Sequence, residues 1–156
     1  MANRDRAVRG GAMMDAKARI LVVDDNRLTV MIISSLLEEY GYEIFTAYDG
    51  MAGLEKAREV KPHLIIPDIV MPKMDGYQVA RHLKHHSETA DIAVLMLTAK
   101  GGVDENVNKS YEFATRVQDR LHGFDVGAAE FLTKPVKAKE LVKRVKSVLW
   151  AGGFPV

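Results

Sequence analysis

From Arg19 onward, short apolar runs alternate with segments of helical period, and few folds accommodate that alternation. The runs are Ile20-Leu21-Val22-Val23, Ile44-Phe45-Thr46-Ala47, His63-Leu64-Ile65-Ile66, Ile92-Ala93-Val94-Leu95-Met96-Leu97 and Phe131-Leu132. A strand that is apolar at consecutive positions is covered on both faces, and strands separated by helices build βαβ units around a parallel sheet. The second run is more mixed in polarity, which places it nearer a sheet edge. Between the runs, Val30, Ile33, Leu36, Leu37 and Tyr40 recur at spacings of three and four, with Asn26 as the cap and Gly41 as the stop. Asp49 and Gly50 turn into a short helix over about Met51 to Val60, and Asp75 caps a helix carrying Tyr77, Val79, Ala80 and Leu83. Leu141, Val142, Val145, Val148 and Leu149 form the stripe of the last helix.

Four of the five runs lead into polar residues: Asp24 and Asp25 after the first, Asp68 after the third, Thr98 after the fourth, Lys134 after the fifth. In open parallel sheets the ligand crevice lies outside the carboxyl ends of the strands, so these residues converge where function is expected. Carboxylates in one crevice oppose one another's ionisation, and a divalent cation between them reverses the penalty. Hard oxygen ligands favour Mg2+, which keeps waters and takes phosphate oxygens. A carboxylate can also attack phosphorus to give an acyl phosphate, with Lys134 and Thr98 supplying a point charge and a hydroxyl to the phosphoryl oxygens. Each residue also has a plain reading. Asp24 and Asp25 taken alone are helix caps, Thr98 a β-branched strand residue, Phe131 core, and Lys134 a loop lysine before Pro135. The set acquires its chemical meaning only jointly.

Composition narrows the class further. A chain of 156 residues fits one domain with its own core. The absence of cysteine excludes disulfides, thiolate metal sites and a thiol nucleophile. A net charge of +1 predicts neither a nucleic-acid nor a membrane surface. No apolar run reaches the roughly 18 residues of a membrane span, so the expected location is cytoplasmic. Residues 1–18, with Arg4, Arg6, Arg9 and the pair Gly10-Gly11, read as a flexible leader, 19–150 as the domain and 151–156 as a short tail, with no room for an output domain. His82, His85 and His86 read as cations favoured near a helix C-terminus rather than as a metal site. Lys137, Lys139, Lys143, Arg144 and Lys146 read as a solvated helix face.

The motifs Val23-Asp24-Asp25-Asn26, Ile66-Pro67-Asp68-Ile69-Val70-Met71-Pro72-Lys73-Met74-Asp75-Gly76, Leu97-Thr98-Ala99 and Phe131-Leu132-Thr133-Lys134-Pro135, in this order, resemble the receiver domains of two-component response regulators, over about Arg19 to Leu149. The resemblance implies a flavodoxin-like, doubly wound five-stranded parallel sheet in the order 2-1-3-4-5, with helices on both faces. It implies Asp68 as phosphoacceptor and Asp25 as a direct ligand of Mg2+. Asp24 would support the metal through water, and the Val70 backbone carbonyl would be a further ligand. Lys134 would contact the phosphate, with Lys134-Pro135 cis, and Thr98 and Phe131 would be the switch pair. The implied partners are a sensor histidine kinase or phosphotransfer protein and a downstream protein read by the face of the fourth helix, fifth strand and last helix, with no direct nucleic-acid or membrane contact. Such a chain catalyses only its own phosphorylation and dephosphorylation, and is not an enzyme in the ordinary sense.

Three features depart from that family. Pro67 lacks an N–H, which predicts that the third strand bulges or ends immediately before Asp68. Val70 and Lys100 occupy positions that in the family influence phosphate lifetime. The stretch from Thr98 to Lys134 exceeds the family spacing by roughly three helical turns. Its period of Val103, Val107, Tyr111, Ala114, Val117, Leu121 and Phe124 predicts an extended fourth helix, either a stripe for a homodimer or dedicated partner, or a flap on its own domain. Two rival readings stand beside the receiver. A haloacid-dehalogenase-like phosphatase needs a second acid where Val70 stands. A degenerate receiver would serve as a phosphorylation-independent interaction module, for which Pro67 and the long fourth helix argue.

Overall fold

The computed structural model describes residues 17–98 and 130–154. Its elements are β1 (Arg19–Val23), α1 (Arg27–Glu39), β2 (Glu43–Ala47), α2 (Gly50–Val60), β3 (Leu64–Pro67), α3 (Gly76–Lys84), β4 (Ala93–Thr98), β5 (Glu130–Thr133) and α4 (Ala138–Ala151). α4 is the last helix, numbered by its order among the described elements. The five strands pair in parallel as β2-β1-β3-β4-β5, with β2 at an edge as its mixed polarity predicts. Lys100 and the stretch from Val103 to Phe124 lie outside the described residues, and with them the extended fourth helix and its dimer stripe.

Strand alternation divides the core into two layers. Leu21, Val23, Ile65, Val94, Met96 and Phe131 face one way and pack on Leu54 and Ala57 of α2 and Val79, Ala80 and Leu83 of α3. Ile20, Val22, Leu64, Ile66, Leu95, Leu97 and Leu132 face the other way, onto Val30, Ile33 and Leu37 of α1 and Leu141, Val145, Val148 and Leu149 of α4. The continuous apolar runs are therefore strands covered on both faces. No helix among the described residues is long and apolar enough to cross a membrane.

Local chemistry starts three helices at the carboxyl end of the sheet. Asn26 Oδ1 accepts the Thr29 N–H at 3.0 Å and Asp49 Oδ1 the Ala52 N–H at 2.8 Å. Asp75 and Gln78 form a reciprocal capping box, at 2.8 and 2.9 Å. Each cap satisfies a helix N–H that would otherwise lack an acceptor, worth about 1 kcal/mol. The first turns of α1, α2 and α3 thereby gather around one crevice.

β3 ends at Pro67, immediately before Asp68, and it does so without a bulge. Val23 pairs with Pro67, and Asp68 continues the line as an isolated bridge to Leu97, with its N–H on the Val23 carbonyl at 2.9 Å. On the β4 side, Leu64 pairs with Ala93, Ile65 with Val94 and Asp68 with Leu97, a constant offset of 29 positions. The Ile69 N–H donates to the Leu97 carbonyl at 2.9 Å. By the period of two, the N–H that Pro67 lacks is the one that would meet Leu95. The ladder thus loses a single bond while its register holds, because the pairs on either side and the two apolar layers keep the strands aligned.

The folded unit also extends past the expected boundaries. Ala18 is buried and its carbonyl accepts the Glu43 N–H at 2.9 Å. Ala151 belongs to α4, and Phe154 packs against the layer beneath that helix.

Candidate functional site

β1, β3 and β5 bring Asp24, Asp25, Asp68 and Lys134 into one cluster. Asp24 follows β1 and is fully buried, with its N–H on the Ala47 carbonyl at 3.2 Å. Its Oδ1 accepts the Asn26 N–H at 2.9 Å and its Oδ2 accepts from Lys134 Nζ at 2.8 Å. Asp25 is exposed at the mouth. Asp68, only 6% exposed, has Oδ1 3.4 Å from the same ammonium. Oxygens of the three carboxylates lie within 4.8 Å of one another, the one such group of potential metal ligands among the described residues.

Lys134 is delivered by backbone geometry. Its N–H donates to the Thr98 carbonyl at 2.7 Å, Thr98 pairs with Thr133, and the Lys134-Pro135 bond is cis, as the resemblance implies. Thr98 thus stands at the end of β4, between the strand that leads to Asp68 and the one that leads to Lys134. By alternation it shares the face of Met96. Phe131 is not part of the acid cluster. Its ring is 5% exposed in the α2/α3 layer, next to Met96 in register. The Val70 side chain points largely to solvent.

Electrostatics in the crevice are unbalanced. Burial first, then repulsion from Asp24, lifts the Asp68 carboxyl from 3.8 to about 6, with Lys134 pulling the other way and Asp25 adding to the rise. Burial would lower Lys134, but its hydrogen bond to Asp24 and the charges of Asp68 and Asp24 outweigh that, and its ammonium is held above the usual lysine range. Three carboxylates against one ammonium leave surplus negative charge in a half-enclosed site. That donor set fits a hard divalent cation with oxygen ligands.

The sequence reading missed two positioning details. Gly76 opens α3 with its N–H on the Ile69 carbonyl at 2.9 Å, and a Cβ there would lie 2.6 Å from the Asp68 carbonyl oxygen. The missing side chain is what lets α3 start against the backbone of Asp68 at the end of β3, and the glycine's place in the loop motif was the available signal. Asp24 is the closer partner of Lys134, a pairing across 110 positions that no spacing reveals. His86 Nδ1 contacts the His82 carbonyl at 2.7 Å and His85 caps the end of α3, while Lys137, Lys139, Lys143 and Lys146 are exposed. Arg144 pairs with Glu140 at 2.7 Å and with Glu130.

A parallel sheet in this order, with acids at the ends of β1 and β3 and a lysine after β5, defines a flavodoxin-like doubly wound α/β domain with an acidic crevice at the carboxyl ends of its strands. Residues 20–146 match the response regulator receiver domain, and the chain belongs to that family of two-component regulators. It is 39% identical over 131 residues to the DNA-binding dual master transcriptional regulator RpaA of Synechocystis sp., covering 84% of this chain and 48% of RpaA. It is 35% identical over 132 residues to protein PilH of Pseudomonas aeruginosa, covering 85% of this chain and 98% of PilH. The chain spans about half the length of RpaA and several other curated relatives it matches. Among solved structures, the chemotaxis protein CheY4 of Vibrio cholerae superposes with a TM-score of 0.71 at 29% identity, over 85% of this chain and 99% of that one.

Proposed function

We propose that Asp68 accepts a phosphoryl group from the phosphohistidine of a sensor histidine kinase or phosphotransfer protein. The observation that carries this reading is the Asp68 carboxylate itself, buried at a strand end with an ammonium 3.4 Å away and two further acids beside it. The Asp68 oxygen forms a bond to phosphorus as the donor's P–N bond breaks, and the imidazole nitrogen leaves with the electron pair. Lys134 and the Thr98 hydroxyl orient and neutralise phosphoryl oxygens, and partial burial excludes competing water. Asp25, Asp68 and the Val70 carbonyl would hold Mg2+, with Asp24 supporting it through water. When bound, the ion supplies charge neutralisation for the phosphoryl oxygens. Dephosphorylation is a separate step: water attacks phosphorus as the bond to the Asp68 oxygen breaks, which returns the carboxylate and inorganic phosphate.

Phosphorylation then acts through Thr98 and Phe131. Phe131 is already buried in this structure, so drawing the Thr98 hydroxyl toward the phosphoryl group would favour this packing over one with the ring turned outward, and a downstream protein would read the difference on the face of β5 and α4. The phosphorylation-independent module loses one of its arguments, since Pro67 leaves the register of β3 unchanged and the acid set is complete. Incubation with acetyl phosphate and Mg2+, followed by intact mass measurement, is expected to add one phosphoryl group to the wild type and none to Asp68→Asn. An unmodified wild type would leave the interaction module as the better reading.

A further inference from the structure

At the opposite end of the sheet from Asp68, His63 joins three parts of the fold. Its Nδ1 accepts the Arg19 N–H at 3.0 Å and its own N–H donates to the Arg19 carbonyl at 2.8 Å. The Arg19 side chain reaches on to the end of α2, with Nε on the Val60 carbonyl at 3.0 Å and Nη2 on the Lys61 carbonyl at 2.7 Å. The imidazole meets the Phe154 ring edge-on, with centroids 4.6 Å apart. Phe154 is held in turn by its N–H on the Leu149 carbonyl at 2.9 Å, and the Gly153 N–H donates to the Trp150 carbonyl at 3.0 Å. A cavity of about 300 Å³ adjoins both rings, with Lys61, Glu88, Asp91 and Ile92 among its walls.

We propose that His63 is a proton-operated latch for the segment Gly152–Phe154 that leads out of α4: neutral imidazole holds the segment against the sheet, and protonated imidazole releases it. The accepted bond requires a lone pair on Nδ1, so the neutral ring carries its proton on Nε2. Protonation at Nδ1 sets two donors against each other, Arg19 N–H and Nδ1–H. The ring must then turn, and the adjoining cavity provides space for the turn. The Phe154 contact depends on the ring's present orientation and goes with it.

The charged groups around the ring come from several elements. Arg19 is on β1, with Glu43 beside it on β2; Lys61 precedes β3; Glu88 and Asp91 precede β4. The parts of the α4 end that line the cavity, Val148, Leu149, Gly152 and Phe154, carry no titratable side chain. Burial first and then Arg19 lower the affinity of His63 for a proton. The docked form therefore disfavours the charged ring, docking is strongest above the ordinary histidine range, and release grows as pH falls below it. The latch is independent of phosphoryl chemistry and belongs equally to a chain that never accepts phosphate.

The test is amide hydrogen exchange of Gly153 and Phe154 by NMR on the full chain, corrected for the intrinsic rate, alongside titration of the His63 ring. The fluorescence of Trp150, the single tryptophan, is a second reporter on the same helix end. Acid is expected to lower protection roughly two- to tenfold, the span one hydrogen bond's net worth supplies, with the midpoint of His63 itself. His63→Gln, whose amide oxygen can accept the Arg19 N–H without titrating, should keep protection constant. Equal acid loss in wild type and His63→Gln would overturn the latch. If the variant fails to fold, the wild type alone decides: an exchange midpoint that departs from the ring's titration also overturns it. Asp68→Asn should titrate identically, which separates this outcome from any failure of phosphoacceptance.

Discussion

Replacing Asp68 by asparagine should stabilise the cation-free protein at neutral pH. Its carboxyl is raised from 3.8 to about 6, chiefly by burial and then by Asp24, so the folded protein binds that proton more tightly than the unfolded chain does. The cost is absent below the unfolded value, grows between about pH 4 and 6, and is full above that window. Two units at about 1.4 kcal/mol each make it about 3 kcal/mol at pH 7.5. Asparagine keeps the shape and removes the charge. For a chain of this size about 2–4 °C accompanies each kcal/mol, so the melting temperature in EDTA should rise by about 6–12 °C at pH 7.5 and little at pH 4. Thermal denaturation of both proteins at the two pH values measures the difference, and effects of the shared acids cancel in it. Mg2+ should narrow the gap, because it stabilises the form that binds it. A variant no more stable than wild type at pH 7.5 without divalent cations, or a gap equal at both pH values, would refute the electrostatic account of the crevice.

Lys134→Met should have the opposite effect. It leaves the fully buried Asp24 without its 2.8 Å partner, so urea denaturation at pH 7.5 should show a loss of about 2–4 kcal/mol, and phosphorylation by acetyl phosphate should slow sharply. Gly76→Ala places a methyl 2.6 Å from the Asp68 carbonyl oxygen, so α3 must shift. A stability loss of about 1–3 kcal/mol and slower phosphorylation are expected, read by denaturation and by the time course of intact mass. An unchanged Gly76→Ala protein would mean that the first turn of α3 does not position the acceptor strand.

Much of this architecture was legible from local pattern. Continuous apolar runs such as Ile20–Val23 announce strands covered on both faces, and Asn26, Asp49 and Asp75 announce helix starts, because alternation and capping depend on residues within a few positions of one another. The polar residues closing four of the five runs were enough to nominate Asp24, Asp25, Asp68, Thr98 and Lys134. Which oxygen the ammonium takes, how far Asp68 is lifted, and how Pro67 is accommodated were decided by packing across the sheet. Those outcomes depend on the register of strands distant in sequence: a missing N–H is tolerated when neighbouring pairs hold alignment, and a carboxyl's proton affinity depends on charges brought near by other strands. The contact of His63 with Phe154 is of the same kind, since two rings 91 positions apart meet only after β3 and α4 have packed.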